Sequence, residues 1–193
     1  MKVAIIKYNS GNICSVKFAL ERIGVSPIVT GDAAELQTAD KIIFPGVGEA
    51  SSAMKYLREQ KLDKVIVGFK QPVLGICLGM QLMCERSEEG NTNCLGIFNQ
   101  KILKFSDKNK VPQIGWNKIS NLSSPLFKNV IEMEYMYFVH GYYAENSEYS
   151  IASANYGLEY SAALQKNNFY GVQFHPEKSS DAGQTVLKNF IEL

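Results

Sequence analysis

The chain has 193 residues, 46% of them hydrophobic and 20% charged, with a formal net charge of +1. That length suits one domain with a large core. The near-neutral balance lacks the concentrated Lys and Arg that phosphate-backbone recognition needs, so no nucleic-acid partner is expected.

The opening MKVAIIKYNS has an apolar run too short for a secretory signal, and no apolar segment reaches membrane length. Four cysteines (14, 77, 84 and 94) form no CxxC, and His140 and His175 are the only histidines. The expectation is a cytoplasmic protein with reduced thiols, no Cys/His metal site and no cofactor.

In chain order, KVAIIKY (2–8) reads as a buried strand, followed by turn-prone NSGN (9–12) and a helical stretch from about Cys14 to Ile23 that Gly24 ends. SPIVT (26–30) is a second short strand. DKIIF (40–44) is a third, stopping at the Pro-Gly turn of PGVGE (45–49), and helical spacing then runs from Ser52 to about Phe69. QPVLGIC (71–77) is the fourth strand and LGMQLMCERS (78–87) the helix after it. Short apolar strands alternating with helices predict parallel pairing by right-handed crossovers, covered on both faces: a doubly wound, flavodoxin-like α/β sheet.

After about Gly90 the pattern changes. LGIFNQKILKF (95–105), QIGWNKIS (113–120), YMYFVHGYYAE (135–145), YSIASANYG (149–157) and the pair SAALQKN/NFYGVQFH (161–175) are strand-like, rich in aromatic and β-branched residues and joined by Asn, Gly and Ser turns. Helical spacing returns in TVLKNFIEL (185–193). The prediction is an antiparallel β layer appended to a mostly parallel sheet, within a single domain over 1–193.

LGICLG places Cys77 between Gly75 and Gly79 where a strand turns into a helix. G-x-C-x-G has the pattern of a nucleophile elbow, a tight turn that needs glycine on each side and holds the central side chain up. At a helix start the dipole and free N–H groups favour a thiolate, and the Leu78 N–H is expected to be free for a developing oxyanion. Cys14, Cys84 and Cys94 lack this framing and read as small core residues.

A thiol nucleophile needs a base, and QFHPE (173–177) supplies one. Residues two apart in an extended segment share a face, so His175 and Glu177 can act together, the carboxylate holding the tautomer of the imidazole. His140 is a competing base, but it lacks a carboxylate two residues away and reads as a packed strand residue lining the pocket. The bare backbone of Gly46, Val47 and Gly48 falls at the same sheet end as Cys77, suited to an oxyanion hole or to an α-carboxylate. It has no Lys-Ser/Thr, so it is not a P-loop.

PGVG, GICLGMQLM and HPEKS, in this order, resemble the class I glutamine amidotransferases. The likeness runs from YNSGN (8–12) through QIGWN (113–117) and YFVHGYY (137–143) to the C-terminus. The short length, QIGWN and the Lys after HPE make it most similar to the HisH branch, the glutaminase subunits of imidazole glycerol phosphate synthase in histidine biosynthesis. The resemblance implies glutamine hydrolysis through a γ-glutamyl thioester on Cys77, assisted by His175 and Glu177. It further implies that Gln81, the 45–48 loop and the 139–142 strand with His140 and Tyr142 hold glutamine. Ammonia is then expected to pass to a (β/α)8-barrel cyclase subunit in a heterodimer, with Asn12, Trp116 and Lys178 near that partner; Trp116 reads equally well as a core aromatic.

Four positions depart from the family pattern: Lys7 where an acidic residue is common, Gly141 where a hydroxyl is usual, and Asn99-Gln100 in place of Pro-Gly. The competing readings are an amidotransferase subunit for another acceptor, a Cys-dependent γ-glutamyl hydrolase, and a non-enzymatic regulatory subunit.

Overall fold

The computed structural model describes residues 1–9 and 11–193; Ser10, within the turn-prone run 9–12, lies outside the described residues. The first half runs β1 (Val3–Ile6), α1 (Ile13–Arg22), β2 (Ile28–Thr30), α2 (Ala33–Gln37), β3 (Lys41–Phe44), α3 (Ala50–Glu59), α4 (Leu62–Val67), β4 (Val73–Ile76) and α5 (Leu78–Met83). The second half is β5 (Arg86–Ser87), β6 (Thr92–Asn93), β7 (Lys101–Lys104), β8 (Gln113–Ser120), β9 (Tyr135–His140), β10 (Tyr142–Ala144), β11 (Ser150–Asn155), β12 (Glu159–Lys166), β13 (Phe169–Val172) and α6 (Ser180–Glu192).

The strands form one mixed sheet in the order β2-β1-β3-β4-β13-β12-β10-β7-β5-β6, with β11, β8 and β9 branching from β12. β1 pairs in parallel with β2 and β3, β3 with β4, and β4 with β13. Beyond β13 the pairing turns antiparallel through β12, β11, β8 and β9, so the expected second layer grows out of the same hydrogen-bonded network.

Alternation along the parallel strands divides the interior into two cores. Val3, Ile5, Ile43, Leu74 and Ile76 face α1 and α6 through Val16, Leu20, Val186, Leu187 and Phe190. Ala4, Ile6, Ile42, Phe44 and Val73 face α3 and α5 through Met54, Leu57, Met80 and Leu82. Each fully buried large side chain of this kind contributes roughly 1.5–3 kcal/mol, which is why these short strands read as unbroken apolar runs.

Several elements differ from the sequence expectation. The helical stretch after Ser52 is two helices, broken where Lys61 takes a left-handed φ of 57°. α2 was not expected, although Asp32 caps it by accepting from the Glu35 N–H at 2.9 Å, and the Asp-x-x-Glu spacing is a capping signature. α5 stops at Met83, short of residue 87, because the returning segment takes its last carbonyls: Leu95, Gly96 and Ile97 N–H groups donate to Leu82, Cys84 and Met83. YMYFVHGYYAE is two strands parted at Gly141, with β9 on β8 and β10 on β7 and β12. α6 begins at Ser180, ahead of the apolar run that marks it in sequence.

Cys14 is exposed, not in the core, because α1 turns Val16, Ala19 and Leu20 inward and Cys14 lies off that stripe. Cys84 is buried and Cys94 partly buried. Gly183 lets α6 approach the backbone of Pro176, whose carbonyl a Cβ at 183 would overlap. Gly183→Ala is therefore expected to lower stability by about 3 kcal/mol, read as a drop in urea midpoint at unchanged m-value.

Candidate active site

Cys77 follows β4 directly, with φ 52° and ψ −109°, and opens α5. A non-glycine residue in that region is strained, and the neighbouring glycines make room for it. A Cβ on Gly79 would overlap the Phe44 carbonyl, and one on Gly75 would lie 2.8 Å from the Met80 nitrogen. The G-x-C-x-G spacing thus serves a tight elbow, as its sequence suggests. The thiol is 6% exposed and its Sγ lies 3.6 Å from the Val139 carbonyl of β9.

His175 and Glu177 come from the turn after β13. His175 Nδ1 lies 2.7 Å from Glu177 Oε1, with the side chains 1% and 0% exposed. The His175 N–H donates to the Tyr137 carbonyl of β9 at 2.8 Å, and within the turn Ser179 Oγ donates to the His175 carbonyl at 2.6 Å. The Tyr137 N–H in turn donates to Ser179 Oγ at 2.9 Å. Ser179, fully buried, was not singled out in the sequence, where it looks like an ordinary helix-start serine.

Asn12 donates its side-chain amide to Glu177 Oε1. Glu177 Oε2 is buried without a hydrogen-bond partner among the described residues. Burial alone would lower the His175 pKa, but the charge and hydrogen bond of the Cys77 sulfur, then the hydrogen bond and charge of Glu177, outweigh it and push it up to about 10. The arrangement is an imidazolium held between a sulfur and a carboxylate.

A pocket of about 230 Å³ opens beside the thiol, lined by Val47, Gly48, Cys77, Leu78, Gln81, Glu89, Pro112, Val139, His140, Gly141 and Tyr142. That is below the usual range of about 300–1,000 Å³ for drug-sized ligands and suits a single amino acid. Sequence reasoning missed Glu89, the one carboxylate in this lining. Its Oε2 accepts from the Ala50 N–H at the start of α3 at 2.8 Å, and burial raises its pKa, opposed by that hydrogen bond.

One expectation needs correction. The Leu78 N–H is not free: it donates to the Gly46 carbonyl at 3.3 Å, because the 45–48 loop packs straight onto the elbow. A Cβ on Gly46 would meet Tyr8 Oη at 2.6 Å and Leu78 Cβ at 2.8 Å, so that approach depends on glycine.

Gln81 is buried and donates to the Tyr142 carbonyl at 3.0 Å and to Gln173 Oε1 at 2.9 Å. His140 also bonds the Tyr142 carbonyl through Nδ1 at 2.7 Å, while Nε2 lies 3.3 Å from the Tyr160 hydroxyl. Burial holds the His140 pKa down to about 4, so it is a neutral, packed ring in the pocket wall. Among the described residues no group of three or more His, Cys, Asp or Glu is placed to hold a metal ion, and no helix is long and apolar enough to cross a membrane.

Trp116 is not a core residue: it is 53% exposed on the outer face of β8, its ring 5.8 Å from that of Tyr137 on β9. Lys178 is exposed beside them, with Nζ 5.9 Å from the centre of the Tyr137 ring. Ile114, 64% exposed, and Tyr135, 49% exposed, extend this apolar face. Asn12 sits inward of it, committed to Glu177.

The family model described as glutamine amidotransferase class-I matches residues 6–193. The imidazole glycerol phosphate synthase subunit HisH of Bacteroides fragilis is 55% identical over the whole of both chains. Its counterpart in Haemophilus influenzae is 46% identical, covering 100% of this chain and 98% of that one. A solved structure of a glutamine amidotransferase superposes with a TM-score of 0.78 at 17% identity, over 100% of this chain and 98% of that one, a likeness of fold.

The charge arrangement makes a prediction in pH. With its pKa raised, His175 contributes stability that is complete below the ordinary imidazole value of about 6.5 and is lost as pH rises through about 10. Glu177→Gln removes one source of that upward shift. Imidazole ¹⁵N resonances are expected to show His175 deprotonating at lower pH in the variant.

Proposed function

We infer the reaction from one premise: the chain belongs to the class-I glutamine amidotransferase family. It is a glutaminase of that kind, and its close relatives are named subunits of imidazole glycerol phosphate synthase. A subunit works with a partner, so hydrolysis of L-glutamine here feeds ammonia to a second chain. We assign that chain as a (β/α)8-barrel cyclase in a cytoplasmic heterodimer, by likeness to the branch.

The observation that carries the site assignment is the His175–Glu177 pair at 2.7 Å, facing the sulfur of Cys77 at the wall of an amino-acid-sized pocket. In the proposed mechanism the Cys77 thiolate attacks the γ-carboxamide carbon and the carbonyl oxygen becomes an oxyanion. His175 gives its proton to the departing nitrogen; the C–N bond breaks, ammonia leaves and the γ-glutamyl group remains on Cys77 as a thioester. A water, losing its proton to His175, then adds to the thioester; collapse breaks the C–S bond, which releases glutamate and restores the Cys77 thiolate. Glu177 holds the ring in place throughout and stabilises it whenever it is protonated.

Glu89 complements the substrate's α-ammonium, and the Gly46–Val47–Gly48 backbone faces its α-carboxylate. Gln81 and Tyr142 complete the wall. The Leu78–Gly46 hydrogen bond leaves the oxyanion without that donor until the Gly46 carbonyl turns away. The free chain is accordingly a poor glutaminase, and docking of the partner is the event that reshapes the loop.

The partner surface is the outer face of β8 and β9. Ile114 pairs with Val139, Trp116 with Tyr137 and Lys118 with Tyr135, an apolar and aromatic ladder that ends at the pocket wall. Exposed aromatic clusters of this kind act as interface anchors.

Cys77→Ala is expected to abolish ammonia release from glutamine while urea unfolding stays cooperative; hydrolysis near the unsubstituted rate would remove Cys77 from its role. The unsubstituted chain should hydrolyse glutamine slowly alone and faster with the cyclase subunit added, and full activity in isolation would contradict this. Trp116→Ala should weaken cyclase binding by about 2 kcal/mol, roughly 30-fold in Kd, by titration calorimetry.

A further inference from the structure

Gln173 lies two residues before His175, in the bend that follows β13. It is fully buried, and its Nε2 lies 3.7 Å from Cys77 Sγ. It does not line the pocket, and nothing in the proposed thioester chemistry uses it.

The direction of its amide is set by its neighbours. The Tyr142 carbonyl can only accept, so the Gln81 group 3.0 Å from it is the nitrogen. That same Nε2 lies 2.9 Å from the Gln173 side chain, which must present its oxygen there and turn its nitrogen to the sulfur. His140 Nδ1 donates to the same carbonyl, which anchors the chain of bonds at its far end.

Besides the His175 imidazolium, which favours the anion, the sulfur therefore has two opposed neighbours. The Val139 carbonyl, 3.6 Å away, can only accept, so it favours an S–H. An N–H donor favours an anionic sulfur, because a hydrogen bond to a charged group is about twice as strong as a neutral one. We propose that Gln173 is a positioning residue for the nucleophile, its side-chain N–H aimed by Gln81 so that it holds the Cys77 sulfur as thiolate and turns it away from Val139. The proposal rests on the reading of Cys77 as nucleophile, but its test reads the thiol directly and does not depend on glutamine.

The test is the rate at which iodoacetamide alkylates Cys77 as a function of pH, followed on the Cys77 peptide by mass spectrometry in a Cys14→Ser background. Gln173→Met keeps the volume and removes the donor; Gln173→Glu keeps the shape and substitutes an acceptor. At neutral pH the rate should fall about tenfold in the first, the effect of losing one hydrogen bond to a charged group, and about a hundredfold in the second, where an acceptor replaces it. In both, the profile should move to the alkaline side with the same plateau.

Profiles that superimpose on the unsubstituted one in folded variants would overturn the proposal, as would faster alkylation of Gln173→Glu. A measurement on the unsubstituted chain covers the case where the variants do not fold. The Gln173 side-chain amide resonances should titrate with the midpoint of the alkylation profile, and a mismatch would sink the idea. With the cyclase present, Gln173→Met should lower kcat and leave KM for glutamine unchanged; a change in KM alone would make Gln173 a substrate-binding group instead. Failure of the unsubstituted chain to hydrolyse glutamine with the cyclase present would count against the proposed function and leave the alkylation result standing.

Discussion

The pairing of β4 with β13 is the constraint on which the site depends. Ile76 lies opposite Val172, and the Cys77 N–H donates to the Val172 carbonyl at 2.8 Å. Because the two strands run parallel, their carboxyl ends emerge together, one carrying the elbow and the other the His-Pro-Glu turn. β3 adds the 45–48 loop and β1 adds Asn12 at the same end. Ligands collect at such strand ends in open α/β sheets. Here the chain reaches the arrangement only by returning through the antiparallel strands to lay β13 against β4.

Electrostatics tie these pieces into one unit. A carboxylate with a fully buried side chain needs a cation or several donors. Glu177 has both on Oε1, from His175 and Asn12, while its Oε2 has no hydrogen-bond partner among the described residues. The imidazolium meets two groups of opposite charge tendency, which is why its pKa rises although burial acts the other way. Ser179 and the Tyr137 backbone hold the turn, and Gly183 brings α6 against Pro176.

β9 touches both halves of the molecule's business. Its backbone meets the Cys77 sulfur at Val139 and holds the His175 turn at Tyr137, while the side chains of those same residues point to the exposed face with Trp116. A strand alternates its side chains but shares one backbone, so one backbone joins that face to the Cys77 sulfur and the His175 turn. The occupied Leu78 N–H supplies the complementary restraint at the other wall of the pocket.

The strand–helix alternation, the glycine-framed Cys77 and the His175–Glu177 spacing were legible along the chain because each is local: a period of two, a period of 3.6, or a turn needing glycine. The same local logic overlooked what depends on returning segments. The 95–97 backbone ends α5, the break at Gly141 sends β9 and β10 to different neighbours, and Glu89, Gln173 and Ser179 acquire meaning only from residues far away in sequence. The availability of the Leu78 N–H and the exposure of Cys14 and Trp116 were decided in the same way. Amino-acid order by itself determined which groups are capable of the chemistry. Three-dimensional packing decided which hydrogen-bond donors are already spoken for, since a partner's identity is a property of non-local contact and leaves no periodic trace in the chain.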